Sequence, residues 1–134
     1  MTEAQPIWTD IEDDGFIGLV GPISYQPFED GIGRFRFVAE AKHKNRGGFV
    51  QGGMLMTFAD RALGMTARQK HAARAQCTVQ LDMHFIRTAK IGQTVEMHCR
   101  VVRETRTLIF MDGELTCQGE ILATARGVWK IIDA

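Results

Sequence analysis

From Asn45 to Gly64 the chain reads Asn-Arg-Gly-Gly-Phe-Val-Gln-Gly-Gly, then Met-Leu-Met-Thr-Phe-Ala-Asp-Arg-Ala-Leu-Gly. Gly52 and Gly53 lead straight into an apolar segment whose one carboxylate is Asp60. A loop without β-carbons lets a ligand approach the backbone closely. The first N–H groups of a helix lack intrahelical partners and share a partial positive charge. Such donors suit an oxygen that becomes negative, and a carboxylate two turns further on suits a general base or a nucleophile. The pairing points to chemistry on a carbonyl.

The elements that must position these residues follow from periodicity. A helix is expected from Gly52 or Gly53 to about Lys70. At 100° per residue, Met54, Leu55, Phe58, Ala59, Ala62, Leu63, Met65 and Ala67 cover more than half its circumference. Thr57, Arg61 and Arg68 form a narrow polar stripe, and Asp60 falls at the border. The residues three and four positions from Asp60 are Met56, Thr57, Leu63 and Gly64, so no helical cation is placed to pair with it. So apolar a helix must be wrapped by other structure. The methionines Met54, Met56 and Met65 read as core that could also form an adaptable pocket wall.

Phe16–Val20 reads as a short strand stopped by Gly21-Pro22, and Arg34–Ala39 as a second strand. Beyond the helix, strands are expected over Cys77–Ile86, Thr94–Val102 and Thr107–Cys117. A turn at Gln118–Glu120 then leads into a last strand, Ile121–Ile132. Alternating runs with short connections imply an antiparallel meander. Two strands, one long helix and four strands give an α+β arrangement in which the sheet curls around the helix. The first fifteen or so residues are polar and acidic and read as a loose or helical lead-in.

The 134 residues suit one domain, expected over 1–134, and 45% hydrophobic residues allow a real core. Lys plus Arg and Asp plus Glu are 16 each, so the basic excess of a nucleic-acid binder is missing. The N-terminus lacks the basic start and apolar centre of a signal peptide, and no apolar run reaches membrane-spanning length. A soluble, cytoplasmic protein is expected. Cys77, Cys99 and Cys117 fall on expected strands and read as small buried hydrophobes. His43, His71, His84 and His98 form no metal-binding spacing, so neither metal nor cofactor is expected.

In order and spacing, Asn45, Gly52, Gly53 and Asp60 resemble the hotdog-fold thioesterase superfamily, in particular the phenylacetate-pathway (PaaI-type) acyl-CoA thioesterases. That pattern is an Asn, a glycine-containing loop, His-Gly-Gly, and an Asp eight residues after the first glycine of the pair. Thr78–Gly92 is similar to the family's following strand and its turn, and the resemblance runs from Phe16 to the C-terminus. One position departs: the family histidine is Gln51 here. An amide can hydrogen-bond but cannot carry a proton near neutral pH.

The resemblance implies a hotdog fold and hydrolysis of an aryl- or medium-chain acyl-CoA through a tetrahedral oxyanion. The Gly52 N–H is then the first candidate oxyanion donor and Gly53 the second. Asp60 acts as general base or nucleophile, Asn45 holds the water or the carbonyl, and Gln51 stands in for the histidine. Thr78 matches a hydroxyl residue that the resemblance brings to the site from a neighbouring strand, the partner subunit's included, to orient the water. Arg87, Lys90 and Arg106 are candidate contacts for the CoA phosphates. The implied assembly is a homodimer joined sheet edge to sheet edge, or a homotetramer built as a dimer of dimers, with sites at the interface. Two alternatives belong to the same fold: a non-catalytic acyl-CoA-binding module, and a hydroxyacyl-thioester dehydratase, which the loss of histidine at Gln51 disfavours.

Overall fold

The computed structural model describes residues 6–71 and 75–132. The elements run β1 (Thr9–Asp10), α1 (Phe16–Val20), β2 (Ser24–Tyr25), β3 (Ile32–Val38), a 3₁₀ turn (Ala41–His43), α2 (Gly52–Arg68), β4 (Ala75–Phe85), β5 (Thr94–Glu104), β6 (Leu108–Cys117) and β7 (Glu120–Ile132). The strands form one antiparallel sheet in the order β1-β2-β3-β5-β6-β7-β4. The sheet wraps around α2, as the apolar girth of that helix requires. Leu55, Phe58, Ala59, Ala62 and Leu63 are buried against the inner residues Phe35, Phe37, Val95, Met97, Ile109, Met111, Leu115 and Trp129. Phe37 and Phe58 meet edge to face, ring centres 4.8 Å apart. Three glycines weaken the intrinsic helicity of α2, so burial rather than propensity sustains it.

The strand order corrects the expected meander. β5, β6 and β7 do run as one, but β4 lies at the far edge, beside β7. Helix α2 therefore carries the chain from β3 across the sheet to the opposite edge. One edge of β4 pairs with β7, and its other edge has no strand among the described residues.

Three further expectations change. Phe16–Val20 is a helical turn, not a strand: the Gly15 N–H donates to Asp13 Oδ1 at 2.7 Å, and the Leu19 and Gly21 N–H groups donate back to Gly15 and Ile17. A five-residue apolar run does not distinguish the two conformations by period. The lead-in is partly a strand, since Thr9–Asp10 pairs with Ser24–Tyr25. Cys77 is exposed on the edge strand, whereas Cys99 and Cys117 are buried. Burial pushes the Cys99 thiol up to about 12 and raises that of Cys117. In the native protein at pH 8, at most Cys77 should react with a colorimetric thiol reagent, and in denaturant all three. Native labelling of Cys99 would contradict this packing.

Among the described residues no helix is long and apolar enough to cross a membrane. The outer sheet face carries a cross-strand row, Asp82–Arg126–Asp112–Arg100, of alternating sign. Arg126 reaches Asp82 at 3.1 Å and Arg100 reaches Asp112 at 2.6 Å.

Candidate active site

The glycine loop is held from within and from below. Asn45 Oδ1 accepts the N–H groups of Gly47 and Phe49 at 2.9 and 3.1 Å, closing an Asx-type turn. Its carbonyl oxygen is thereby occupied, so its amide NH₂ is what it can offer a ligand. Gly48 adopts φ +87°, which favours glycine. Below the loop, His43 is buried: the Glu40 N–H donates to its Nδ1, its Nε2 bonds the Val20 carbonyl, and its own carbonyl accepts the Gln51 N–H at 2.7 Å. The sequence offered no sign of this anchoring role beyond the residue type.

Gln51 is the N-cap of α2 by backbone only, and its exposed side chain makes no capping bond. Its carbonyl takes the Met54 and Leu55 N–H groups. The Gly52 and Gly53 N–H groups have no protein acceptor among the described residues. A β-carbon on Gly52 would sit 3.6 Å from the ring of Phe85, an aromatic that is 51% exposed. Phe85 thus flanks the open helix start, a position the sequence did not reveal.

Asp60 is half-buried on α2, and the Thr78 hydroxyl donates to its Oδ1 at 2.7 Å within the same chain. The resemblance had suggested Thr78 from a partner subunit; in this structure the two residues form one intrachain unit. Its geometric cause is a β-bulge at Val79. Thr78 pairs with Trp129 and Gln80 with Val128, and Val79 has no partner on β7. Thr78 therefore faces α2 although Leu81, Met83 and Phe85, of opposite parity, face it as well. The side chain of Trp129 lies across Gly127, where a β-carbon would come within 2.7 Å of the ring. A parity break in a strand and a glycine in another were the available signals for both features.

Beside Asp60 opens a groove of about 330 Å³, lined by Asp60, Gly64, Arg68, Gln76, Thr78 and Trp129 among others. The adjacent Arg61 does not neutralise Asp60, because it pairs with Asp13 at 2.9 Å. The Gly15 N–H, and then Arg61, hold the Asp13 carboxyl below its usual range.

The cations expected at CoA are separated within the chain. Lys90 bridges Phe49 at the glycine loop, and Arg87, nearby after β4, pairs with Glu120 at 2.9 Å. Arg106 lies in the β5–β6 turn, at the opposite end of the sheet, where Leu108 and Cys77 both pair with Lys130.

The sequence matches the family model of the thioesterase superfamily over residues 47–124. The chain belongs to the thioesterase superfamily. The stretch matched contains Gly47 to Gly53 of the glycine loop, Asp60 and Thr78. A relative from Pseudomonas aeruginosa, named "Putative esterase PA0474", is 32% identical over 93 residues, 69% of each chain. Among solved structures, the E. coli PaaI protein from the phenylacetic acid degradation operon superposes with a TM-score of 0.78 at 20% identity, over 84% of this chain and 80% of that one. A hypothetical thioesterase protein from Streptococcus pneumoniae, solved with coenzyme A, gives 0.76 at 20% identity over 82% and 85%. These likenesses show the hotdog thioesterase fold.

Proposed function

We propose that this superfamily member hydrolyses an aryl- or medium-chain acyl-CoA to the free acid and CoA. The observation that carries the reading is the Asp60–Thr78 pair at 2.7 Å, open to a groove, in a chain whose Gly52 N–H also has no acceptor among the described residues. The Thr78 hydroxyl occupies Oδ1 and leaves Oδ2 to act. As general base, Asp60 takes a proton from water while the water oxygen bonds to the thioester carbon. The carbonyl electrons move to its oxygen, which the Gly52 N–H receives. Collapse reforms the carbonyl, breaks the C–S bond and releases CoA thiolate, which takes the proton from Asp60. In the nucleophilic alternative, Asp60 Oδ2 bonds to the thioester carbon itself, CoA thiolate leaves from the tetrahedral adduct, and water then cleaves the resulting anhydride to release the acid and restore Asp60. Gln51 has no titratable proton near neutral pH, so it serves by hydrogen bonding alone. The coenzyme A in the streptococcal neighbour supports CoA as the leaving group.

A single chain does not bring these groups together. Gly52 and Asp60 stand about 12 Å apart along the helix, at ~1.5 Å per residue. N–H groups at a helix start point out of that end, so a bound oxyanion lies roughly 3 Å further from Asp60. An attacking water on Asp60 cannot reach that carbon. The proposed site therefore pairs Gly52 and Asn45 of one copy with Asp60 and Thr78 of another. The unpaired outer edge of β4, with Val79 51% exposed, supports joining the copies there.

Mixing two inactive variants, Gly52→Pro and Asp60→Asn, tests this reading. After subunit exchange, half of the dimers carry one intact site of two, so about a quarter of wild-type activity should return. If the site were complete within one chain, the mixture would stay inactive. Thiol release from a panel of acyl-CoA substrates tests the reaction itself.

A further inference from the structure

The groove beside Asp60 continues along α2 toward its C-terminal end. Asp60, Gly64 and Arg68 stand four residues apart, so they form one stripe about 12 Å long. Gly64, buried in the middle of that stripe, lets the side chains of Trp129 and Gln76 close against the helix there. A β-carbon there would lie 3.0 Å from Trp129 Nε1 and 3.5 Å from Gln76 Nε2. The floor is thus the nitrogen edge of an indole and a primary amide rather than hydrocarbon. Gln76 is fixed in place: its Nε2 donates to the Gly64 carbonyl at 2.7 Å, and its Oε1 bonds the His71 ring at 2.7 Å.

Two guanidiniums and one carboxylate line the groove. Arg61 is engaged by Asp13, whereas Arg68, at the far end, has no carboxylate within ion-pair distance among the described residues. A purely hydrocarbon acyl chain would leave the Arg68 guanidinium at the end of the groove without a partner. A tail that carries a carboxylate would meet the fork of Arg68.

Resting on the acyl-CoA hydrolysis reading above, we propose that the substrate's acyl group ends in a carboxylate that Arg68 binds. The spacing sets the length. Arg68 extends back toward the helix N-terminus. With the thioester carbon at Asp60, roughly six carbons bridge to it. Trp129 and Met65 cover the methylenes, and Arg68 selects the charged end.

The test compares adipyl-CoA with hexanoyl-CoA, which share chain length and CoA and differ in the terminal carboxylate. Wild type should favour adipyl-CoA in kcat/KM by at least about tenfold. Arg68→Gln should lower that ratio by about tenfold, mainly through KM for adipyl-CoA, and Arg68→Lys should restore part of it. Equal or better use of hexanoyl-CoA by wild type overturns the proposal and leaves thioester hydrolysis standing. So does an Arg68→Gln variant that loses both substrates alike, since Arg68 would then be serving CoA. Absence of thiol release from every acyl-CoA would overturn the hydrolysis reading itself.

Discussion

Gly52→Pro is expected to lower kcat by about 10²–10³-fold while leaving the fold intact, the loss seen when one oxyanion donor is removed from other enzymes. The substitution is selective because of where Gly52 sits. It is the first residue of α2, where proline fits the helix and the missing N–H breaks no intrahelical bond. Gln51, at φ −60° and ψ 134°, already holds the extended conformation that a residue before proline requires. The melting temperature should stay within about 5 °C of wild type, near 1 kcal/mol for a chain of this size. Gly52→Ala is the companion. It keeps the N–H, and its β-carbon would make an ordinary contact 3.6 Å from Phe85, so activity should stay within about tenfold. A Gly52→Pro enzyme with wild-type kcat would remove this N–H from the mechanism.

Asp60→Asn should lower kcat by about 10²–10⁴-fold, the range for loss of a positioned general base. Asparagine keeps the shape and can still accept the Thr78 hydroxyl, so folding and CoA binding should persist. Among the described residues no cation pairs with Asp60, since Arg61 is turned to Asp13, and neutralisation leaves no partner charge unpaired there. Thr78→Ala should cost less, about ten- to a hundredfold, as expected for one hydrogen bond to a charged group. Comparable turnover by wild type and Asp60→Asn would end the case for this carboxylate.

The elements that position these groups were largely legible, because burial imposes period on sequence. α2 was expected from Gly52 or Gly53 to Lys70 and runs Gly52–Arg68, and β3, β5, β6 and β7 lie where alternation placed them. What escaped was set by long-range pairing or by local capping. The position of β4 at the far edge depends on which strand accepts it, and no residue within β4 encodes that choice. Phe16–Val20 became helical through the Asp13 side chain, three residues upstream of it. The exposure of Cys77 follows from the edge position of β4. At the site, the motif named Asn45, Gly52 and Asp60, but the distance between Gly52 and Asp60 emerges only once both lie on one straight helix. Thr78 was named by resemblance, and the structure puts it on its own chain's Asp60.

The bulge at Val79 means that β4 is read in two frames. Before it the inward positions are Gln76 and Thr78; after it they are Leu81, Met83 and Phe85. Eleven residues occupy ten pairing positions. Excising Val79 would leave both frames in phase, whereas gaining or losing a residue elsewhere in the strand would invert one half against the other. The hydroxyl that touches Asp60 and the apolar wall beyond it are therefore separately exchangeable, and Val79 is the joint at which the strand can be cut between chemistry and core.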